Sequence, residues 1–216
     1  TTPVVVKGPS GTGVLGDTTN SYISLANFHD GHHTAKVTKL AAGDNFVMAL
    51  LSDGTVYGWG VNSYGVLGED TTLNRFYPTQ VRYGQQNNGS QYLQGIVDIA
   101  VGKNHVTALD AAGTLYTWGR NDAKQLGDID ESTLTADTGI AVTPRYVTSE
   151  VGEGDAAQKV AISRITAGGN TNLLIDSQGH VYGFGDNSHD QFGAGDNTAM
   201  EQSAKLVMML QGESIN

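Results

Sequence analysis

The sequence predicts an all-β protein built from tandem repeats, and three observations lead to that prediction. Glycine supplies 29 of the 216 residues, roughly twice its usual share, which indicates many tight turns. The hydrophobic residues come in short, evenly spaced runs, as strands separated by turns do. A motif also recurs three times without a gap. The best candidate for a helix is short and lies around residues 199–210.

The repeats share their glycines, their aromatic residues and their spacing. Gly43, Gly102 and Gly168 occupy equivalent places, 59 and then 66 residues apart, and the same offsets hold throughout each unit. Every unit also carries a Tyr-Xaa-Trp or Tyr-Xaa-Phe pair, an asparagine and a closing Leu-Gly or Phe-Gly. A partial unit stands in front, where residues 13–16 repeat residues 65–68.

Each unit is interpreted as a small sheet of about four strands. An apolar run meets an Xaa-Gly pair such as Asp53-Gly54, and this predicts a β-hairpin because glycine accepts the positive φ of primed turns. One small sheet cannot bury both faces alone, so it must stack on neighbours in a solenoid or a closed ring. Repeats of this length favour the ring. We therefore expect β-propeller blades, with a partial blade over residues 1–36 and repeats over approximately 37–96, 97–162 and 163–216.

The pattern resembles a known family. Ala-Ala-Gly, Ala-Leu, Asp-Gly, Val-Tyr-Xaa-Trp-Gly-Xaa-Asn and Gly-Xaa-Leu-Gly, all present between residues 41 and 68, are similar to the regulator-of-chromosome-condensation repeat. Pro78-Xaa-Xaa-Val81 and Pro144-Xaa-Xaa-Val147 are similar to the end of that repeat. The resemblance implies a β-propeller, typically seven-bladed, of which this chain holds roughly half. It implies less about function, because such propellers serve as exchange factors, inhibitors and surface-binding modules.

Charge and composition exclude some classes of partner. The chain has 12 Lys and Arg against 22 Asp and Glu, a net charge of −10, so neither nucleic acid nor an acidic membrane surface is expected as a partner. No apolar run approaches the ~20 residues of a membrane-spanning helix. The absence of cysteine excludes disulfides and thiolate metal sites. The composition favours an extracellular or cell-surface location, with the cytoplasm as the alternative.

Functional residues are expected where the repeats differ, because positions filled alike in every repeat are most simply architectural. His105 is replaced by Phe46 and Thr171 in the other units, which favours a buried packing role over acid–base catalysis. The variable connections carry tyrosine and arginine, which are enriched at binding hot spots. The candidate partner-binding residues are Arg75, Phe76, Tyr77, Arg82, Tyr83 and Tyr92.

Two loops are candidates for a metal site. An acidic loop offers oxygen ligands for calcium, but it lacks the full spacing of a calcium loop, and solvated turns explain it better. A histidine-rich loop offers nitrogen ligands for a transition metal, with an exposed loop as the simpler interpretation. No other cofactor is expected. The acidic set is Asp128, Asp130 and Glu131, and the histidine set is His29, His32 and His33.

Catalytic signatures are missing from the sequence, since it has no Gly-Xaa-Ser-Xaa-Gly, no phosphate loop and no His-Glu-Xaa-Xaa-His. The favoured function is a non-catalytic protein-binding or cell-surface module that engages a partner through inserted blade loops. The alternatives are a guanine-nucleotide exchange factor, by family analogy, and a hydrolase or lyase with carboxylates at the propeller channel. Half a ring leaves strand edges open. Either a homodimer or further blades of a longer chain would close it, and the start within a repeat favours the longer chain.

Overall fold

The computed structural model describes residues 35–86, 89–127, 140–147, 158–193 and 200–206, together with residues 4, 7, 134, 150 and 151. These residues form three antiparallel sheets of four strands each, and the strands of each sheet lie side by side in chain order. The all-β prediction is therefore confirmed. Among the described residues there is no helix that is long and apolar enough to cross a membrane.

The three sheets are named blade 1, blade 2 and blade 3. Blade 1 contains β1 (Val37–Ala42), β2 (Phe46–Leu51), β3 (Val56–Gly60) and β4 (Arg75–Gln80). Blade 2 contains β5 (Ile96–Val101), β6 (His105–Asp110), β7 (Leu115–Arg120) and β8 (Ile140–Val147). A two-stranded hairpin follows, made of β9 (Glu150–Val151) and β10 (Gln158–Lys159). Blade 3 contains β11 (Ile162–Gly168), β12 (Thr171–Asp176), β13 (Val181–Asp186) and β14 (Met200–Leu206).

A glycine sets the turn between the second and third strand of each blade. Gly54, Gly113 and Gly179 have φ angles of 79°, 80° and 91°, a region that side chains other than glycine adopt only with strain. The turn fixes the hairpin register, which pairs Leu50 with Val56 in blade 1. The hairpin predicted at the Asp53-Gly54 pair is thus present, but the turn is not primed: only Gly54 of the pair has a positive φ, and the Leu51 N–H donates to Thr55 O across a three-residue loop.

The fourth strand of each blade bulges where it passes the third. Gly58 lies opposite Thr79 and Gly60 lies opposite Arg75, so three residues of β4 face the single residue Trp59. The same shift occurs in blades 2 and 3, opposite Trp118 and Phe184. A bulge re-aims side chains and makes an edge strand a poorer template for pairing.

The helix expected around residues 199–210 is wrong for the part that the structure describes. Residues 200–206 form β14, which pairs with β13 from Asp186–Met200 to Tyr182–Leu206. Local propensity favours a helix, but the third strand of blade 3 offers a row of unpaired backbone groups. Pairing with that row satisfies the backbone of both strands.

The blades contact one another mainly through their first and second strands, as sheets around a propeller axis do. Equivalent turns are linked in sequence: the Asp44 N–H donates to Lys103 O at 3.1 Å, and the Lys103 N–H donates to Gly169 O at 2.6 Å. The indole N–H of Trp118, which is fully buried, donates to Val66 O of blade 1 at 2.8 Å. One hydrophobic core runs through all three blades.

Candidate partner-binding surfaces

One asparagine in each blade holds the loop between the third and fourth strands. All three asparagines are buried, and each accepts, through Oδ1, a hydrogen bond from a backbone N–H five residues further on. The architectural role predicted for them is confirmed, and their side chains are unavailable to a partner. The pairs are Asn62 with Leu67 at 2.9 Å, Asn121 with Leu126 at 3.0 Å, and Asn187 with Phe192 at 2.9 Å.

His105 lies in a buried polar contact between blades 2 and 3. Its Nε2 is 3.1 Å from Asn172 Oδ1, and the Thr107 hydroxyl donates to the same oxygen at 2.6 Å. Since that oxygen only accepts, Nε2 carries the proton of a neutral ring. Burial lowers the pKa of His105 from 6.5 to about 4, although the hydrogen bond to Asn172 acts to raise it. The packing role expected for His105 agrees with this position.

Asp176, His180 and Tyr182 form a second polar group, at the hairpin turn of blade 3. Burial alone would raise the pKa of Asp176, but hydrogen bonds from the His180 N–H and ring, the Gln178 N–H and the Tyr182 hydroxyl lower it to about 2. The same burial and the adjacent carboxylate raise the pKa of Tyr182 to about 12. These hydrogen bonds to the carboxylate stabilise the turn. At the equivalent turn of blade 2, Asp110 accepts hydrogen bonds from two backbone N–H groups.

Arg75, one of the predicted partner-binding residues, is occupied within its own blade. Its guanidinium donates to the buried Glu69 carboxylate at 2.5 Å. Glu69 also accepts hydrogen bonds from the Asn62 amide at 3.3 Å and from the Thr71 hydroxyl. The arginine therefore neutralises a buried carboxylate and holds the loop that leads into β4.

Phe76 and Tyr77, the next two predicted residues, project from the bulge of β4. Phe76 is 89% exposed and Tyr77 is 48% exposed. The equivalent of Phe76 in blade 2 is Val142, whose carbonyl accepts a hydrogen bond from the Asp70 N–H of blade 1 at 3.1 Å. In blade 2, therefore, the bulge contacts the loop of the preceding blade, whereas in blade 1 Phe76 and Tyr77 of the bulge face solvent.

The other three predicted residues lie in the connection between β4 and β5. The Arg82 guanidinium stacks on the Tyr92 ring, 5.7 Å from its centre, and the two residues form an isolated antiparallel bridge. Tyr83 is 37% exposed. Because β4 starts beside Gly60 and ends beside Tyr57, this connection and Arg75 lie at opposite ends of the strand. The six predicted residues consequently do not form one compact cluster.

A cleft that the sequence does not single out lies between blades 1 and 2. It has a volume of about 360 Å³ and is lined by the turns between the first two strands and by the loop after β3. Arg120 of blade 2 stacks over Tyr64 of blade 1, with 4.9 Å from the guanidinium carbon to the ring centre. Lys103 and Asp44 form its other charged wall, with 3.8 Å between Nζ and Oδ2. Val66 and Asn104 also line it.

The short side chain of Val66 leaves the cleft open between blades 1 and 2. In blade 2 the same position is Gln125, whose side chain is fully buried and accepts from the Ala123 N–H at 2.8 Å. Its amide also reaches Asn170 of blade 3 at 3.5 Å. Blade 3 has Gln191, which accepts from the His189 N–H at 2.9 Å. A valine lacks the length and the polar group to fill this space.

Neither predicted metal site can be placed. The acidic set and the histidine set named above both lie outside the described residues. Within the residues that the structure does describe, no three His, Asp or Glu side chains are grouped to hold a metal ion.

Three stacked, four-stranded antiparallel blades with recurring glycine turns define a segment of a β-propeller. Two models of the regulator of chromosome condensation (RCC1) repeat match the chain. One matches residues 53–109 and 112–175, and the other matches residues 37–66, 96–125 and 162–191. The chain belongs to the RCC1 repeat family, as the sequence motifs implied.

Curated relatives are similar over most of the chain. The human E3 ubiquitin-protein ligase HERC2 is 29% identical over 186 residues, which are 86% of this chain and 3% of that protein. The ultraviolet-B receptor UVR8 of Arabidopsis thaliana is 28% identical over 185 residues, which are 85% of this chain and 36% of the receptor. The chain thus spans well under half the length of either relative.

Solved structures show the same fold. Prp20p of Saccharomyces cerevisiae superposes with a TM-score of 0.62 at 22% identity, over 81% of this chain and 39% of that one. Human WBSCR16 superposes with a TM-score of 0.61 at 20% identity, over 82% of this chain and 39% of that one. At these identities the similarity establishes the propeller fold.

Proposed function

We propose that this chain is a non-catalytic protein-binding module that engages a partner through the cleft between blades 1 and 2. The observation that carries the proposal is the cleft itself, where Val66 stands at the position that is glutamine in blades 2 and 3 and valine, Val14, in the partial unit. Lys103, Arg120 and Tyr64 around the cleft also differ from their equivalents in the other blades. Side chains that differ between repeats and meet on both walls of one cleft are not required by the repeating frame, so they are candidates for a role other than the frame itself.

Relatives support a binding role in general terms. Prp20p of Saccharomyces cerevisiae has binding properties toward Gsp1p and histones, and a second structure contains the same yeast protein with Kap60 bound to it. These statements concern the yeast protein, and for this chain they support the class of function only. An exchange factor, by analogy, and a hydrolase or lyase remain the alternatives.

The same proposal includes an extracellular or cell-surface location. The absence of cysteine and the low lysine content support a protein that works outside the cell or on its surface. Surface biotinylation of intact source cells tests this, with recovery of the biotinylated chain as the expected result and labelling only after lysis as the contrary one.

Cross-linking at the cleft tests the binding role. A benzoylphenylalanine is placed at Tyr64, at Phe76 as a probe of the sequence-predicted surface, or at the exposed Val97 as a control. Extract of the source organism is irradiated with each variant, and the cross-linked protein is identified and purified. We expect one partner to be captured from position 64. Capture from position 76 alone would move the binding surface to the β4 bulge.

The affinity of the purified partner for variants of this chain then tests the proposal. Val66→Gln copies the residue of blade 2 and should weaken binding at least about tenfold, which corresponds to ~1.4 kcal/mol. Val97→Gln makes the same chemical change at an exposed place on β5 and should leave affinity unchanged. Tyr64→Ala, which copies Ala123, provides a second variant if Val66→Gln fails to fold. Unchanged affinity in both folded cleft variants would refute the proposal.

A further inference from the structure

The cleft between blades 1 and 2 is lined by two of the few cationic side chains of this chain. The protein has only 12 Lys and Arg and a net charge of −10, and Lys103 and Arg120 both line the cleft, with Asp44 in the same lining and Asp122 bonded to Arg120. Both cations come from blade 2. The equivalent positions of blade 1 are Asp44 and Val61, and those of blade 3 are Gly169 and Asp186. Blade 2 is therefore the blade that places a cation at both positions.

Arg120 is held ready to bind an acceptor. Its Nη2 donates to Asp122 at 2.5 Å, and its plane stacks on Tyr64. A guanidinium has five N–H donors in a rigid fork, so this single bond leaves donors for another oxygen. The stacking fixes the direction of the fork, and less side-chain freedom is then lost when a ligand binds.

Lys103 is available because its intramolecular pair is loose. The Lys103 and Asp44 side chains are 54% and 49% exposed and lie 3.8 Å apart. Exposed pairs of this kind contribute little, so an incoming carboxylate can take the place of Asp44. Beside these charges, Val61 is 40% exposed and forms an apolar part of the wall.

We infer that the cleft takes a carboxylate of the partner, held by Lys103 and Arg120, with a neighbouring apolar side chain of the partner on Val61. This inference rests on the proposed function and names the chemistry of its ligand. The net charge of −10 repels a strongly acidic partner, so the recognised segment carries one carboxylate among apolar or neutral residues. That carboxylate belongs either to an Asp or Glu side chain or to a chain terminus.

Trp118 provides a direct reporter of occupancy. Its indole N–H bonds to the carbonyl of Val66, and Val66 lines the cleft. The chain has two tryptophans, so the indole region of a nitrogen–proton NMR spectrum shows two signals, with Trp59 as the internal control.

Three synthetic peptides serve as probes in this NMR titration. The first is acetyl-Ser-Val-Glu-Val-Ser-amide, and the second has Gln in place of Glu. The third, acetyl-Ser-Val-Ser-Val with a free carboxyl end, tests the chain terminus. We expect the first or the third peptide to shift the Trp118 signal saturably, with a dissociation constant of about 0.1–1 mM, and the Gln peptide to leave it unchanged.

Charge-matched variants separate the cleft from general electrostatics. Arg120→Gln and Lys103→Gln should each weaken binding of the effective peptide at least about fivefold. Arg164→Gln removes the same charge from an exposed position on β11, outside the cleft, and should change the affinity less than about twofold. An equal loss in Arg164→Gln would overturn the assignment of the carboxylate to the cleft.

The outcomes for the ligand and for the function can be told apart. If no peptide shifts Trp118, or the Glu and Gln peptides shift it equally, the carboxylate inference is wrong. If cross-linking from position 64 nevertheless captures a partner whose binding Val66→Gln abolishes, the binding role stands without it. If the Glu peptide binds but no partner depends on the cleft, the carboxylate site stands and the protein-binding proposal falls.

Discussion

The buried imidazole of His105 predicts how the stability of this chain depends on pH. In the folded protein burial lowers the pKa of His105 to about 4, whereas its ordinary value is 6.5. Between these values the unfolded chain binds a proton that the folded chain does not. Stability is therefore complete above pH ~6.5 and is lost as the pH falls toward ~4.

The size of the effect follows from the two pKa values. Their difference corresponds to a loss of about 3 kcal/mol once the pH lies below both of them. At pH 5, where most unfolded chains carry the proton and few folded ones do, the loss relative to pH 8 is about 2 kcal/mol. Asp176, whose pKa is lowered to about 2, contributes stability that is present above pH ~4 and is lost below it. Measurements above pH 4.5 avoid that contribution.

Urea unfolding of the whole chain between pH 4.5 and 8 provides the assay, followed by tryptophan fluorescence and by circular dichroism to test for a single transition. His105→Phe is the matched variant, because blade 1 has Phe46 at the same position and the Thr107 hydroxyl still donates to Asn172. The variant should lose most of the pH dependence between pH 5 and 7. If its stability falls with pH as steeply as that of the unmodified chain, His105 is not the group responsible.

Three further predictions concern the frame of the blades, and each is measured by denaturant unfolding. Gly60→Ala should cost at least about 3 kcal/mol, because φ is 112° and the new Cβ would lie 2.4 Å from Asn45 O. The control Gly89→Ala, where φ is 80° and the space is open, should cost about 1 kcal/mol, and equal losses in stability would contradict the clash. Trp118→Phe should cost about 1–3 kcal/mol, because Val66 O loses its buried donor, and unchanged stability would show that the carbonyl is satisfied otherwise. Asn121→Ala should cost about 1–2 kcal/mol through the orphaned Leu126 N–H, and unchanged stability would contradict this role.

The fold is accessible from sequence because the same physical requirement recurs at fixed spacing. Gly54, Gly113 and Gly179 each need positive φ, and the hairpins follow from them. The strand formed by residues 200–206 escapes sequence reasoning, since its pairing depends on β13 and leaves no local pattern. A helical propensity without tertiary information points the other way.

The candidate site is harder to predict from the sequence, because the sequence does not show whether a side chain typical of interfaces already makes contacts within the protein. Arg75 has the residue type of a contact residue, but the fold joins it to Glu69, six residues earlier in the chain. Arg82 and Tyr92 are separate candidates in the sequence and stack on each other in the structure. Whether Phe76, Tyr77 and Tyr83 bind a partner stays a prediction. The structure shows which of the candidate side chains already make contacts within the protein.

A signal for the cleft does exist in the sequence, at the position just before each Leu-Gly or Phe-Gly. That position is Gln125 in blade 2 and Gln191 in blade 3, and both side chains accept a hydrogen bond from the loop behind them. Val66 differs from both, as does Val14 at the same position of the partial unit. Its consequence depends on Tyr64, Lys103 and Arg120, which come from two blades and meet only when the blades stack. We therefore propose the cleft from a difference between blades inside the frame rather than from the length of an inserted loop, because the frame fixes where the altered side chain must lie.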